Sequence, residues 1–302
     1  MHKNHIIISL FVLCNLTLYA KSHHPTTVYC PGLGDSQYEI HGLIDQGVVQ
    51  KPAKGIALKK ENDAGLGHGI DIQTLKKNLD PKKNHILYGT SRGGSTAINY
   101  IAEHNPNNIQ ALVIDATPSD MLNIVDEIQY KVGIFIFWTR AQKEWATQLL
   151  FPHYPTNSIP PMQAIANIAN KDLPVFIVHS HNDPIVNVRS AWENYKAFKQ
   201  AGFSHVYLCE LQESGHMGNP SGPDSLTYKQ ALHSFYKLHG FQFDKKHAIL
   251  SELELAQFQP SRAKIDEKLL ANQWKLRKQA MINAGVAATL GVCVMAISIY
   301  RS

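Results

Sequence analysis

Cysteine is scarce in this chain of 302 residues, which holds four. Cys14 and Cys293 lie in apolar runs near the two ends, which leaves Cys30 and Cys209 for the body. So few cysteines exclude a scaffold built on disulfides. An excess of charge of one sign is also missing from the body. Between Thr26 and Gly240, 18 Lys and Arg meet 19 Asp and Glu, so the net charge of +5 resides in the ends. A nucleic-acid binder carries its basic surface on the folded domain, and no nucleic-acid partner is expected. Clusters with metal-ligand spacing are absent as well. Gly67-His68-Gly69 and His23-His24 have no partners, and neither metal nor cofactor is expected. No internal repeat or low-complexity segment is visible.

The two ends read as targeting segments. Lys3, the run Ile6 to Cys14 and the small residue ending Leu18-Tyr19-Ala20 predict a secretory signal over 1–20, with a first buried strand as the alternative. Ala280 to Tyr300 contains no charged residue. As a helix it would reach about 31 Å, enough for a hydrocarbon core of about 30 Å. Trp274, Lys275, Arg277 and Lys278 before it, and Tyr300-Arg301 at its end, suit the membrane interface. The expectation is a transmembrane helix over 280–300, with an apolar helix docked on the body as the alternative, preceded by a charged, helix-prone tail over 241–279. A signal and an anchor together would place the protein in the secretory pathway or cell envelope, attached to a membrane through its C-terminal helix.

Residues 26–240 alternate strand-like and helix-like stretches, which argues for βαβ units and a parallel sheet. Strands are expected at Thr26–Cys30, Gly55–Leu58, His85–Gly89, Ala111–Asp115, Pro174–His179 and His205–Cys209. Helices are expected near Ser36–Gln46, Ile72–Leu79, Arg92–His104, Ser190–Gln200 and Asp224–His239. Met121 to Lys171 is less regular.

Gly89-Thr90-Ser91-Arg92-Gly93 matches G-x-S-x-G between a buried strand and a helix. A strand-to-helix turn tight enough to expose a serine oxygen needs neighbours without side chains, and the helix start beyond it directs free N–H groups at developing negative charge. Ser91 is therefore the candidate nucleophile. A serine needs a base. Among 16 histidines, His216 stands out because Ser214-Gly215-His216 follows the last strand. A base needs an acid to hold its tautomer. Asp183, in the loop after Pro174–His179, is the first choice, with Asp115 and Asp120 as rivals after the preceding strand. For an oxyanion, the N–H of Arg92 and that of Leu33 in Pro31-Gly32-Leu33-Gly34-Asp35-Ser36 are the candidate donors, with Gly34 as alternative to Leu33.

These motifs, with the order Ser91, Asp183, His216, resemble the α/β-hydrolase superfamily over residues 26–240. Gly32-Leu33-Gly34-Asp35-Ser36 is also similar to palmitoyl-protein thioesterases in that one short stretch. The resemblance implies a serine hydrolase with an α/β fold, a compact and mostly parallel sheet of about six strands with helices on both faces. The body starts directly after the signal, so the two antiparallel edge strands of many members have no room. On that topology several strands separate Cys30 from Cys209, and both are expected free and buried.

The insertion 121–171 would cover such a site as a lid. Phe135, Phe137, Trp138, Trp145, Leu149, Leu150 and Phe151 make it apolar, and Phe137 and Trp138 are the candidate substrate contacts. Ordinary helix–sheet packing is the alternative. An apolar wall favours a small acyl substrate, an ester or thioester. A peptidase of the same fold, or a catalytically silent binding protein, are the competing readings.

Overall fold

The computed structural model describes residues 24–59, 61–132 and 139–275, together with 278 and 282. The expected signal over 1–20 and the expected span at 280–300 lie outside the described residues, apart from residue 282. Among the described residues, no helix is long and apolar enough to cross a membrane.

Six strands form one parallel sheet. They are β1 (Thr26–Cys30), β2 (Ala53–Gly55), β3 (His85–Thr90), β4 (Ile109–Asp115), β5 (Val175–Ser180) and β6 (Val206–Leu211), in the spatial order β2-β1-β3-β4-β5-β6. Every pairing is parallel. β3 and β5 are buried along their whole length, as apolar runs covered on both faces must be. The chain starts in β1, works outward to β2, and then crosses back to β3. The order of strands therefore reverses between β1 and β3, and ligands of open α/β sheets sit beyond the carboxyl ends of strands at such a switch.

Helices cover both faces. On one side α2 (Ile70–Asn78), α3 (Arg92–His104) and α7 (Arg189–Gln200) bury Leu75, Ile98, Ile101, Tyr195 and Phe198 against Leu87, Leu112 and Ile177. On the other, α1 (Glu39–Asp45) and α8 (Ser225–Leu238) bury Leu43, Leu232 and Phe235 against Tyr88, Val113 and Phe176. The alternation of side chains along each strand separates the two clusters. The region 121–171 contributes α4 (Asn123–Val132), α5 (Arg140–Leu150) and α6 (Pro161–Ala164).

Several boundaries differ from the sequence expectation by one or two residues, and two differ by three. The second strand covers Ala53–Gly55 instead of Gly55–Leu58, because only Ala53 to Gly55 face partners on β1. Ile56 and Leu58 are buried beyond the ladder, where the Ile56 N–H still donates to the Tyr29 carbonyl at 3.0 Å. Helix α1 starts at Glu39 and not Ser36, because Gln37 and Tyr38 form a turn. There the Gln37 carbonyl passes so close to Gly55 that a Cβ would lie 1.9 Å from its oxygen.

Residues 241–275, expected as a tail, pack against the body. Helix α9 (Glu252–Ala256) buries Leu255, and helix α10 (262–275) buries Ile265 completely. Between them the Phe258 carbonyl accepts the Leu208 N–H at 2.6 Å, so this segment lies along the open edge of β6. An uncovered parallel edge would expose a row of unpaired backbone groups, and that need explains the packing. Cys30 and Cys209 are both free and buried.

Candidate active site

Three loops at the carboxyl ends of β3, β5 and β6 bring Ser91, Asp183 and His216 together. Ser91 sits between β3 and α3 with φ 50° and ψ −120°, a conformation that costs a non-glycine residue of order 1–3 kcal/mol. Its N–H donates to the Asp115 carbonyl at 2.7 Å, which ties the turn to β4. The flanking glycines are steric requirements. A Cβ on Gly89 would come within 2.5 Å of Gly94, and one on Gly93 within 1.9 Å of the Cys30 carbonyl oxygen. Gly94, outside the five-residue motif, is equally constrained, since a Cβ there would lie 1.8 Å from Thr117 Oγ1.

His216 lies with Nε2 3.1 Å from Ser91 Oγ and Nδ1 2.7 Å from Asp183 Oδ2. The carboxylate can only accept, so Nδ1 carries the hydrogen and Nε2 is free to accept from the serine hydroxyl. Asp183 Oδ1 accepts the N–H groups of Ile185 and Val186 at 2.8 and 2.9 Å. Burial alone would raise the Asp183 pKa. Hydrogen bonds from His179 and His216 outweigh it and hold the carboxyl well below the usual carboxylate range.

The loop that carries His216 is anchored at both ends. Asp224 Oδ2 accepts the N–H groups of Gln212, Glu213 and Ser214 at 3.1, 2.8 and 2.9 Å. Asn219 donates its amide to Asp115 Oδ1. Of the rival acids, Asp115 thus holds the loop of the histidine and not the histidine itself. Asp120 accepts from Leu122 N–H at 3.0 Å and from Arg140 at 2.7 Å, which ties it to α5.

Asp115 is fully buried, and burial pushes its pKa up to about 6, against the hydrogen bond from Asn219 that lowers it. A carboxyl that holds its proton more tightly folded than unfolded contributes stability in full below the unfolded value. That contribution is lost as pH rises from the ordinary range near 4 to about 6. The loss amounts to about 3 kcal/mol by linkage. Asp115→Asn has no such titration. Its stability in urea unfolding should change less between pH 4 and pH 6 than that of the unaltered protein, and parallel profiles would contradict the assignment.

The two oxyanion candidates lie on either side of the elbow. The Arg92 N–H is at the first position of α3 and has no acceptor within the helix. Its guanidinium is buried and donates through Nε to Asp71 Oδ2 at 2.8 Å, through Nη2 to Asp71 Oδ1, and through Nη1 to the Lys59 carbonyl at 2.7 Å. Asp71 also accepts Gly67 N–H at 2.8 Å. The side chain of the residue after Ser91 is therefore clamped by Asp71 in the first turn of α2 and by the Lys59 carbonyl in the loop before it. Leu33 is 41% exposed in the loop after β1. Next to it, Gly34 has φ 87°, and Gly32 is overlaid by Met217, whose sulfur would lie 2.6 Å from a Cβ at Gly32. The loop of His216 and the loop of Leu33 therefore touch. Phe137 and Trp138 lie outside the described residues. Among the described residues, no group of three His, Cys, Asp or Glu is placed to hold a metal.

Asp71, His179, Asn219 and Asp224 were not legible as site residues. Each acts on a partner at least ten positions away or through a loop whose path only the fold defines.

A six-stranded parallel sheet with a serine at the strand-to-helix elbow, facing a histidine and an aspartate on later loops, defines a serine hydrolase of the α/β-hydrolase superfamily. Residues 73–239 match the model of the prolyl oligopeptidase family, and the chain belongs to that family. No curated protein matches the chain. Solved structures with a similar fold include an esterase of Pyrococcus furiosus, at 18% identity and a TM-score of 0.48 over 72% of this chain and 84% of that one. Another is MenH from S. aureus, at 18% identity and 0.47 over 72% and 94%. The α/β-hydrolase MGS-MChE2, from a metagenome of lagoon sediments at Mar Chica, Morocco, aligns at 23% identity and 0.45 over 73% and 94%.

Proposed function

We propose that this serine hydrolase cleaves carboxylic esters or thioesters through an acyl-enzyme on Ser91. The contact of His216 with both Ser91 Oγ and Asp183 carries the reading. Ser91 Oγ attacks the carbonyl carbon as His216 Nε2 takes its proton, and Asp183 stabilises the imidazolium. The oxyanion receives the N–H groups of Arg92 and Leu33. His216 then gives its proton to the leaving oxygen or sulfur, and a water molecule repeats the sequence to release the acid.

Preference for an acyl group is supported by apolar side chains at the same ends of the strands. Leu33 is 41% and Ile185 49% exposed, in the loops that carry the oxyanion candidate and the acid. Trp145, Leu149 and Leu150 are exposed on α5. Solvent-facing apolar groups around polar machinery are what an acyl chain requires. Membership of the prolyl oligopeptidase family favours a second reading, cleavage of peptide bonds. A panel of nitrophenyl esters, acyl thioesters and peptide nitroanilides at equal concentration separates the two. The first reading expects kcat/KM at least about 100-fold higher on butyrate or longer esters than on any anilide, and the reverse ranking would reject it.

The uncharged run Ala280 to Tyr300 and the signal-like N-terminus support a membrane-attached enzyme of the secretory pathway or cell envelope. The full chain should remain with carbonate-washed membranes, and a chain ending at Asn272 should not. Release of both alike would refute the anchor.

A further inference from the structure

His179 is the fifth residue of β5 and has no solvent exposure. Its Nε2 lies 2.8 Å from the Val186 carbonyl oxygen and 3.3 Å from Asp183 Oδ2. Both neighbours are acceptors, so Nε2 carries a hydrogen. Its Nδ1 is buried and has no hydrogen-bond partner among the described residues. A buried polar atom without a partner costs the fold about 1–3 kcal/mol. An apolar side chain in line with Val175 and Ile177 on the same face would avoid that cost, so packing does not account for a histidine here.

Two acceptors in the loop of the acid account for it. The single Nε2–H bonds the Val186 carbonyl at 2.8 Å and lies 3.3 Å from Asp183 Oδ2, which receives His216 Nδ1 at 2.7 Å from the other side, while Oδ1 takes two backbone N–H groups. We propose that His179 is a positioning residue, whose Nε2–H fixes the rotation of the Asp183 carboxylate and shares its charge, so that Oδ2 stays aimed at His216. The proposal rests on the reading of Ser91, His216 and Asp183 as the reacting machinery.

Sharing the charge has a readable consequence. A carboxylate relieved of one donor attracts the His216 imidazolium more strongly, so His216 gives up its proton at higher pH. The charged and titratable groups around His179 are few. Asp183 faces it from its own loop, and His216 stands behind Asp183. Asp115 at the end of β4 acts on it through space. Glu210, paired with it in register on β6, is engaged by His181, Trp192 and Lys268.

The test measures the second-order rate of labelling by a fluorophosphonate from pH 5 to pH 9, which needs no knowledge of the natural substrate. It uses full-length protein and the variants His179→Leu, His179→Gln, His179→Asn and Ser91→Ala. Glutamine can place an amide N–H where Nε2 lies, and asparagine is too short to do so. Labelling of His179→Leu should be slower by roughly 10- to 100-fold at neutral pH. Its acid limb should move up by about half a unit or more, and His179→Gln should restore both. Normal labelling by His179→Leu, or a rate that falls equally at every pH and is not restored by glutamine, overturns the proposal. Should His179→Leu not fold, the amides decide: a moved limb in His179→Asn but not in His179→Gln supports the proposal, and identical profiles overturn it. Labelling that survives Ser91→Ala would overturn the underlying reading of the site, a result distinct from all of these.

Discussion

Ser91→Ala is expected to lower kcat on the best ester substrate by on the order of 10⁶ while the protein still folds. Residues of a triad act as a unit, and removal of the nucleophile leaves only what binding and oxyanion donors supply. The substitution changes one oxygen atom at a residue that is 7% exposed, so little packing is lost. The unusual backbone at φ 50° is set by the turn and by the bond from Ser91 N–H to the Asp115 carbonyl, both of which alanine keeps. Steady-state kinetics together with a urea unfolding curve check this. A loss below about 10²-fold in folded protein would show that another group performs the attack.

His216→Ala is expected to match that loss in magnitude. Without an acceptor at Nε2 the serine proton has nowhere to go, and the neutral hydroxyl is a weak nucleophile. The loop should keep its course, because its anchors are Asp224 and the pair Asn219–Asp115 and do not include the imidazole. Asp183→Asn should cost less, roughly 10⁴ in kcat, because the histidine remains but its tautomer is no longer held. Asp115→Asn should cost far less than Asp183→Asn, since Asp115 contacts Asn219 and not His216. The comparison of these three variants in one assay orders base, acid and loop anchor. A larger loss for Asp115→Asn than for Asp183→Asn would reverse the assignment of the acid.

The sheet and the three converging residues were legible because each leaves a local mark. Fully buried strands read as apolar runs, and Ser91, Asp183 and His216 each stand one loop beyond such a run. The elbow was legible through Gly89 and Gly93, whose missing side chains the turn requires. Gly94 carries the same constraint from Thr117, in the segment after β4, a contact that no local pattern announces. The same holds for Asp71 beneath Arg92 and for His179 behind Asp183. The packing of residues 241–275 was hidden for a different reason. Charged and apolar residues are interspersed along the segment, and its attachment rests on scattered contacts: buried Leu255 and Ile265, the ion pairs Lys196–Asp266 and Lys268–Glu210, and the backbone bond to Leu208. An amphipathic average does not reveal which single residues find a groove.

The most direct test of the account is to label the native protein with a fluorophosphonate to completion, digest it and locate the adduct by mass spectrometry. The account predicts one phosphonyl group per chain, on the serine of Gly89-Thr90-Ser91-Arg92-Gly93, with hydrolytic activity lost in proportion to labelling. An adduct on another residue, or full activity in protein labelled at Ser91, would contradict it.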